Sequence, residues 1–270
     1  MGRSEPGKLQ RQPPRYPSGA GKRHLCQELW PGGPATTSIR GGSAGQATVL
    51  WNGLPLQSPL LGELDLALLP LAFTELVEVQ YGGNSSAWGS GAIGGVVGLG
   101  TRADFERKAA LSLRSTLGSF GLFDQQAKAH YGQGRWRAAT RLFHRWAAND
   151  FPYLAQSNLP ERKQPNARLQ QSGFLQEFYW RPAPGQQLAI HVWLQQSERE
   201  IPPTTVLNIS RASQADRFAR TALNWRVVRG NVVWQARAGL FRENLHYRDE
   251  QIRLSSFTQF WTAMGEIEGE

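Results

Sequence analysis

"GSGAIGGVVGLG", residues 89–100, places Gly89, Gly91 and Gly94 at the spacing G-x-G-x-x-G. In a dinucleotide-binding loop the first glycine sits at the tip of a strand, and the third opens a helix whose N-terminus faces the phosphates. Here the preceding strand-like stretch, "TELVEVQYG", ends near Tyr81, well short of Gly89. Gly94 leads into "GVVGLGT", β-branched and glycine-rich, and therefore a poor helix former. The run reads as backbone that packs closely against a neighbour and then continues as a strand. A second glycine motif, "SGAGK" at 18–22, fails as a phosphate loop, because Tyr16 stands at the first glycine position and Arg23 at the magnesium-binding hydroxyl position.

Upstream, residues 36 to 102 read as a small α/β unit. "ATVLWNGLPL" is an apolar run broken by Asn52-Gly53, the pair favoured in a type I′ hairpin because both residues tolerate positive φ. "LDLALLPLAF" predicts a short helix or turn closing at Pro70, and Leu76, Val77, Val79 and Tyr81 predict a strand.

Downstream of about residue 108 the pattern changes. In "RWRAATRLFHRW", Arg135, Arg137, Arg141 and Arg145 fall on one face, and Trp136, Ala138, Leu142 and Trp146 on the other. "QLAIHVWLQQ" and "VVWQARAGLF" alternate in the same way, the latter setting Arg237 and Gln235 against Trp234, Ala236 and Leu240. Eight strands are predicted, at about 109–118, 122–132, 135–147, 168–181, 186–199, 216–229, 231–246 and 252–263. Tight connections ("GQG", "PAPG", "RGN") alternate with long ones at 148–167 and 200–215, the asymmetry of a transmembrane β-barrel. The strands reach the ~9–11 residues needed to cross a bilayer at a tilt. Trp136, Trp180 and Trp234 lie beside tight turns, and Trp146 stands one strand length from Trp136, as two aromatic girdles require.

Composition agrees. The chain has 270 residues, 10 Trp and a formal charge of +9, with a pI near 10.2 and a mean hydropathy of -0.45. Many aromatics in a polar chain fit strict alternation. No stretch approaches the ~18 apolar residues of a spanning helix. Residues 1–30 are basic, Pro- and Gly-rich and aperiodic, which predicts a disordered N-terminal segment, and they lack the apolar run of a signal peptide. Cys26, the single cysteine, has no disulfide partner and no metal-ligand spacing around it. Nucleic-acid binding is disfavoured, since Arg and Trp take opposite faces. Five scattered His and no nucleophile–base cluster argue against an enzyme, and no metal or cofactor is expected.

"SIRGG", "VLWNGLPL", "LLPLAFTELVEVQYG" and "SSAWGSGAIGGVVGLGTR" together resemble the plug domain of TonB-dependent outer-membrane receptors. Arg40, Gly41, Asn52, Gly53, Glu78, Gly82, Gly89, Gly91, Ala92, Ile93, Gly94, Gly95 and Thr101 match its pattern in order. "LGSFG", "NDFPY", "LQEFYWRP" and "EREIPP" are similar to the first barrel strands and loops of the Bacteroidetes cobalamin-receptor-like branch. Gly98 stands where the family usually has Asn, which predicts a loosened strand.

The resemblance implies an α+β plug domain at 31–105, followed at 106–270 by antiparallel strands of a transmembrane β-barrel. About eight strands of the roughly 22 in such a barrel are accounted for, so a piece truncated at both ends is expected, not competent for transport alone. The implied function is energised uptake of a cobalamin-like corrinoid or a ferric siderophore across the cell outer membrane. The implied partners are outer-membrane lipid, a TonB-type energy-transducing protein, although no TonB box is seen, and a surface lipoprotein. Arg135, Arg137, Arg141, Arg145 and Arg237 are the candidate lumen-facing residues, placed to pair with Glu75 or Glu78 or to line a solvated lumen. The alternative is a self-contained eight-stranded barrel with a structural or binding role, whose narrow lumen leaves no room for residues 36–102.

Overall fold

The computed structural model describes residues 26–28, 33–37, 43–58, 62–81, 92–106, 109–153, 160–203 and 209–269. Strand β1 (Cys26–Glu28) pairs antiparallel with β2 (Ala35–Thr37). Strands β3 (Ala47–Trp51), β4 (Leu54–Pro55), β5 (Leu76–Tyr81) and β6 (Gly95–Gly100) form a small mixed sheet in the order β4-β3-β6-β5. Asn52 and Gly53, at φ 51° and 85°, fill the two-residue loop that joins Trp51 to Leu54, as a type I′ turn requires.

The helical part of this unit amounts to three 3-10 turns among the described residues: Ala44–Gln46, Leu66–Leu68 and Leu71–Phe73. Asp65 caps the second turn, and Pro70 opens the third. Pro70 also explains why neither grows into an α-helix, because it pushes Leu69 into extended backbone (φ -89°, ψ 111°) and ends the preceding turn. Gly98 does not loosen β6. It sits in unbroken register between Leu50 of β3 and Glu78 of β5.

The larger unit is one antiparallel meander of eight long strands. These are β7 (Ala109–Leu117), β8 (Phe123–Gln133), β9 (Trp136–Ala147), β12 (Leu169–Trp180), β13 (Gln186–Ile201), β14 (Ala212–Arg229), β15 (Val232–Asp249) and β16 (Leu254–Gly269). The two-residue strands β10 (Pro152–Tyr153) and β11 (Arg162–Lys163) pair within the long connection between β9 and β12. Strands β7 and β16 are the two edges, and the sheet is not closed. The last three strands run longer than their apolar alternation predicts. Their ends are polar ("ASQAD" in β14, "EIEG" in β16), so hydrophobic periodicity fades while the backbone ladder continues.

The sheet is inverted relative to a water-soluble one. Along β13 the buried side chains are Ala189, His191, Trp193, Gln195, Ser197 and Arg199, whereas Ile190 and Leu194 are exposed. Exposed apolar residues line the same face elsewhere, including Leu111 (70%), Phe257 (63%) and Ile267 (78%). Strand register aligns Trp136 with Trp180, and Leu188 links Trp180 to Trp225, giving an aromatic row at the tight-turn end. The small sheet covers the opposite, polar face.

That contact depends on small residues in the wall. A Cβ on Gly173 would run into the Phe143 ring and lie 3.2 Å from Phe73, whereas one on Gly265 meets nothing. Gly173→Val is therefore expected to cost about 1–3 kcal/mol by overpacking, and Gly265→Ala to stay within about 0.5 kcal/mol of the parent. Denaturant unfolding of the protein in detergent micelles checks both.

Candidate functional site

The small sheet meets the large one through an aromatic layer, two polar contacts and one close approach at a hairpin tip. Trp51 of β3 packs edge-on against Trp193 (5.3 Å between centroids) and His191 (6.0 Å) of β13. Phe73, on the third 3-10 turn, packs edge-on against Phe143 (5.2 Å) and Trp193 (5.9 Å). Leu54, Leu56 and Leu64 join Leu175, Phe218 and Phe241 in the same buried cluster. Edge-to-face aromatic pairs of this kind add about 0.5–1.5 kcal/mol each beyond their area burial.

The first polar contact centres on Glu177 of β12, which has no exposed surface. Arg141 of β9, only 1% exposed, places Nη2 3.0 Å from Glu177 Oε2 and 2.9 Å from Oε1 of Glu75, which belongs to the small unit. The Tyr179 hydroxyl donates to Glu177 Oε1 at 3.0 Å, and the Thr101 hydroxyl donates to the same oxygen. His191 Nδ1 lies 3.2 Å from that oxygen. Thr101 Oγ1 and Tyr179 Oη are 2.8 Å apart. A carboxylate buried this completely is tolerable only because a guanidinium and several donors surround it.

The second contact is made by Asp65. Its Oδ1 accepts from the backbone N–H groups of Ala35 (2.8 Å) and Ala67 (3.0 Å), and its Oδ2 accepts from Arg199 Nη1 of β13 at 2.6 Å. The carbonyls of the turn it caps are answered from the large sheet: Gln171 donates to Ala67 O (2.9 Å) and Gln195 to Leu68 O (2.6 Å). These donors give the partly buried carbonyls of the turn a partner. The close approach is at the hairpin tip, where Gly53 lies against the Arg237 side chain, so near that an added Cβ would come within 2.8 Å of its Cδ.

Of the five arginines singled out in the sequence, Arg141 reaches Glu75. Arg135 lies in the β8–β9 turn and donates to Pro182 O (3.2 Å). Arg137 is buried and donates to the carbonyls of Asp104 and Phe105. Arg145 pairs with Asp124 at 2.7 Å, and Arg237 with Glu266 (2.9 Å) and Glu268 (3.2 Å). Glu78 is exposed on β5 and pairs with none of them among the described residues. Ala92 is fully buried against Leu50 and Val96, and Gly94 N–H donates to Gln46 O at 2.8 Å, while Ile93 is exposed. Gly95 opens β6. Arg40, Gly41, Gly82, Gly89 and Gly91 lie outside the described residues.

Sequence reasoning missed Asp65, Glu177, His191 and Arg199. Alternation did carry a signal, since Leu175, Glu177 and Tyr179 share one face of "LQEFYWRP". It could not say which plug residue would meet them.

A small mixed sheet pressed against the polar face of a wide antiparallel meander, whose other face is apolar and exposed, is the arrangement of a plug against part of a β-barrel wall. Residues 27–96 match the family model described as TonB-dependent Receptor Plug Domain. The vitamin B12 transporter BtuB of Vibrio cholerae serotype O1 is 35% identical over 69 residues, which is 26% of this chain and 11% of that protein. Among solved structures, the siderophore receptor PiuA of Acinetobacter baumannii superposes with a TM-score of 0.68 at 12% identity, covering 91% of this chain and 38% of its own. The FrpB iron transporter of Neisseria meningitidis gives the same TM-score at 15% identity, covering 86% and 39%. Residues 27–96 thus carry the likeness to a TonB-dependent receptor plug domain, and the chain as a whole shares with these solved structures the fold of a plug against barrel strands. It spans about a tenth of the curated relative and under two-fifths of each of these solved chains.

Glu177→Ala leaves the Arg141 guanidinium buried with Glu75 as its remaining counter-charge. It is expected to destabilise the docked unit by about 3–5 kcal/mol, and Glu78→Ala by less than about 0.5 kcal/mol. Unfolding followed by tryptophan emission, to which Trp51 and Trp193 in the seam contribute, measures both.

Proposed function

We propose that the chain is the plug and adjoining barrel strands of a receptor that takes up a corrinoid across the outer membrane, driven by a TonB-type energy-transducing protein. In this reading residues 31–105 are the plug and 106–270 the barrel portion, and the polar, plug-bearing face of the sheet is the lumen wall. The observation that supports it is the seam itself, in which Arg141, Arg199 and a buried aromatic layer hold the plug to the wall; in this reading the seam keeps the pore closed until the plug is pulled. The choice of a corrinoid over a ferric siderophore rests on 35% identity over 69 residues to a vitamin B12 transporter.

The open sheet supports one further part of the reading. The backbone groups along the edges β7 and β16 need partners in lipid, at several kcal/mol for each unsatisfied group, so these strands work within a larger closed barrel.

Uptake by cells producing the receptor that carries this chain tests the reading. Cyanocobalamin is expected to bind at the surface, and to enter only while the energy-transducing protein is present. Binding of a ferric siderophore instead would reassign the ligand, and uptake unaffected by loss of the energy-transducing protein would overturn the mechanism.

A further inference from the structure

A small polar cavity lies in the seam where the plug runs into the wall. It measures about 140 Å³ and is lined by Glu75, Arg102 and Asp104 on one side and by His130, Arg137 and Tyr179 on the other. Strand register accounts for the space. Ala139 of β9 pairs with His130 of β8 and with Glu177 of β12, so a short side chain stands between Arg137 and Arg141 on the plug-facing side of the strand. Pockets for drug-sized ligands start at roughly 300 Å³, so this one is too small for a corrinoid or a siderophore.

Arg137 is incompletely answered there. It is 6% exposed, its Nε and Nη2 donate to the carbonyls of Asp104 and Phe105, and its Nη1 is buried without a partner. Both carbonyls are neutral, and Arg137 makes no ion pair among the described residues. A guanidinium buried without a counter-charge is costly, and a water could take the N–H but not the charge. Arg102, exposed and lining the same cavity, also makes no ion pair among the described residues. The carboxylates are engaged elsewhere. Glu75 Oε1 holds Arg141, which Glu177 shares, and Asp104 Oδ1 accepts from the Glu106 N–H at 3.0 Å. Lys128 of β8 stands opposite Arg141 in the ladder and adds a further positive charge.

We propose that this cavity binds a single small oxyanion, held by Arg137 Nη1 and the Arg102 guanidinium. Two guanidinium groups suit such a guest, because its several acceptor oxygens take charge-assisted hydrogen bonds from both. Arg137 belongs to the wall, and Arg102 follows directly on Thr101 of the Glu177 cluster. The anion therefore ties the last residues of the plug to β9, and the site exists only while the plug is docked.

Equilibrium dialysis of radiolabelled inorganic phosphate against the receptor carrying this chain tests it, in neutral detergent at fixed pH and ionic strength, with bulky gluconate as the balancing anion. Saturable binding is expected. Arg137→Gln and Arg102→Gln are each expected to weaken it about 10-fold. Ala139→Leu, which fills the cavity and keeps both arginines, is expected to abolish it, and Arg229→Gln, at the end of β14, to leave it unchanged. Arg102 is exposed, so its variant keeps the test decisive even where Arg137→Gln does not fold. Absence of a saturable site, or a site that survives Arg102→Gln or Ala139→Leu at full affinity, would overturn the proposal. The result does not depend on which ligand the receptor takes up.

Discussion

Glu177 cannot reach water, and the rest of the arrangement depends on how its charge is answered. Arg141 comes from the neighbouring barrel strand, Tyr179 and His191 from the same wall, and Thr101 from the plug. Arg141 in turn reaches Glu75 of the plug. Neither body is electrostatically complete alone. A bare wall would present buried-type charges to solvent, and a bare plug would lose the counter-ion for Glu75. Docking therefore has a polar specificity that the aromatic layer of Trp51, Phe73 and Trp193 lacks, because apolar contact tolerates sliding whereas paired charges fix position. Asp65 repeats the device on a second strand, tying a capped 3-10 turn to Arg199.

The opposite face is dictated by the same geometry. In a strand, successive side chains point to opposite sides, so a wall that turns Arg141, Glu177, His191 and Arg199 toward the plug must turn Leu142, Phe178, Ile190 and Leu194 outward. Such a sheet is unsuited to water on its outer face and suited to hydrocarbon. The sequence alternation that makes the chain look polar on average is the same feature that makes it a membrane wall.

Much of this was legible in the residues. Period-two alternation located eight strands, and Asn52-Gly53 located a hairpin whose positive φ values the structure shows. The glycine run at 89–100 pointed to a strand after it, which β6 is, whereas the close packing expected of it is not seen at Gly98 and Gly100, where an added Cβ would meet nothing nearer than 3.6 Å. Two things were not legible. Strand ends in β14 and β16 outran the apolar pattern, because a ladder needs only backbone partners. The identities of the seam pairs were hidden because Asp65 and Arg199, or Glu75 and Arg141, are brought together by docking, with no local spacing to betray it. Naming Glu75 and Glu78 together as partners for the arginines did not separate them: the Glu75 carboxylate, in the bend before β5, reaches Arg141, while Glu78 on β5 pairs with no arginine among the described residues.

A double-mutant cycle between Asp65 and Arg199 tests most directly whether the plug is docked on the wall in this register. Asp65→Ala, Arg199→Ala and the double variant, compared in denaturant unfolding, are expected to show a coupling of roughly 0.5–3 kcal/mol, since the two residues meet only through docking. Strictly additive effects would mean that the plug does not sit against β13 as described.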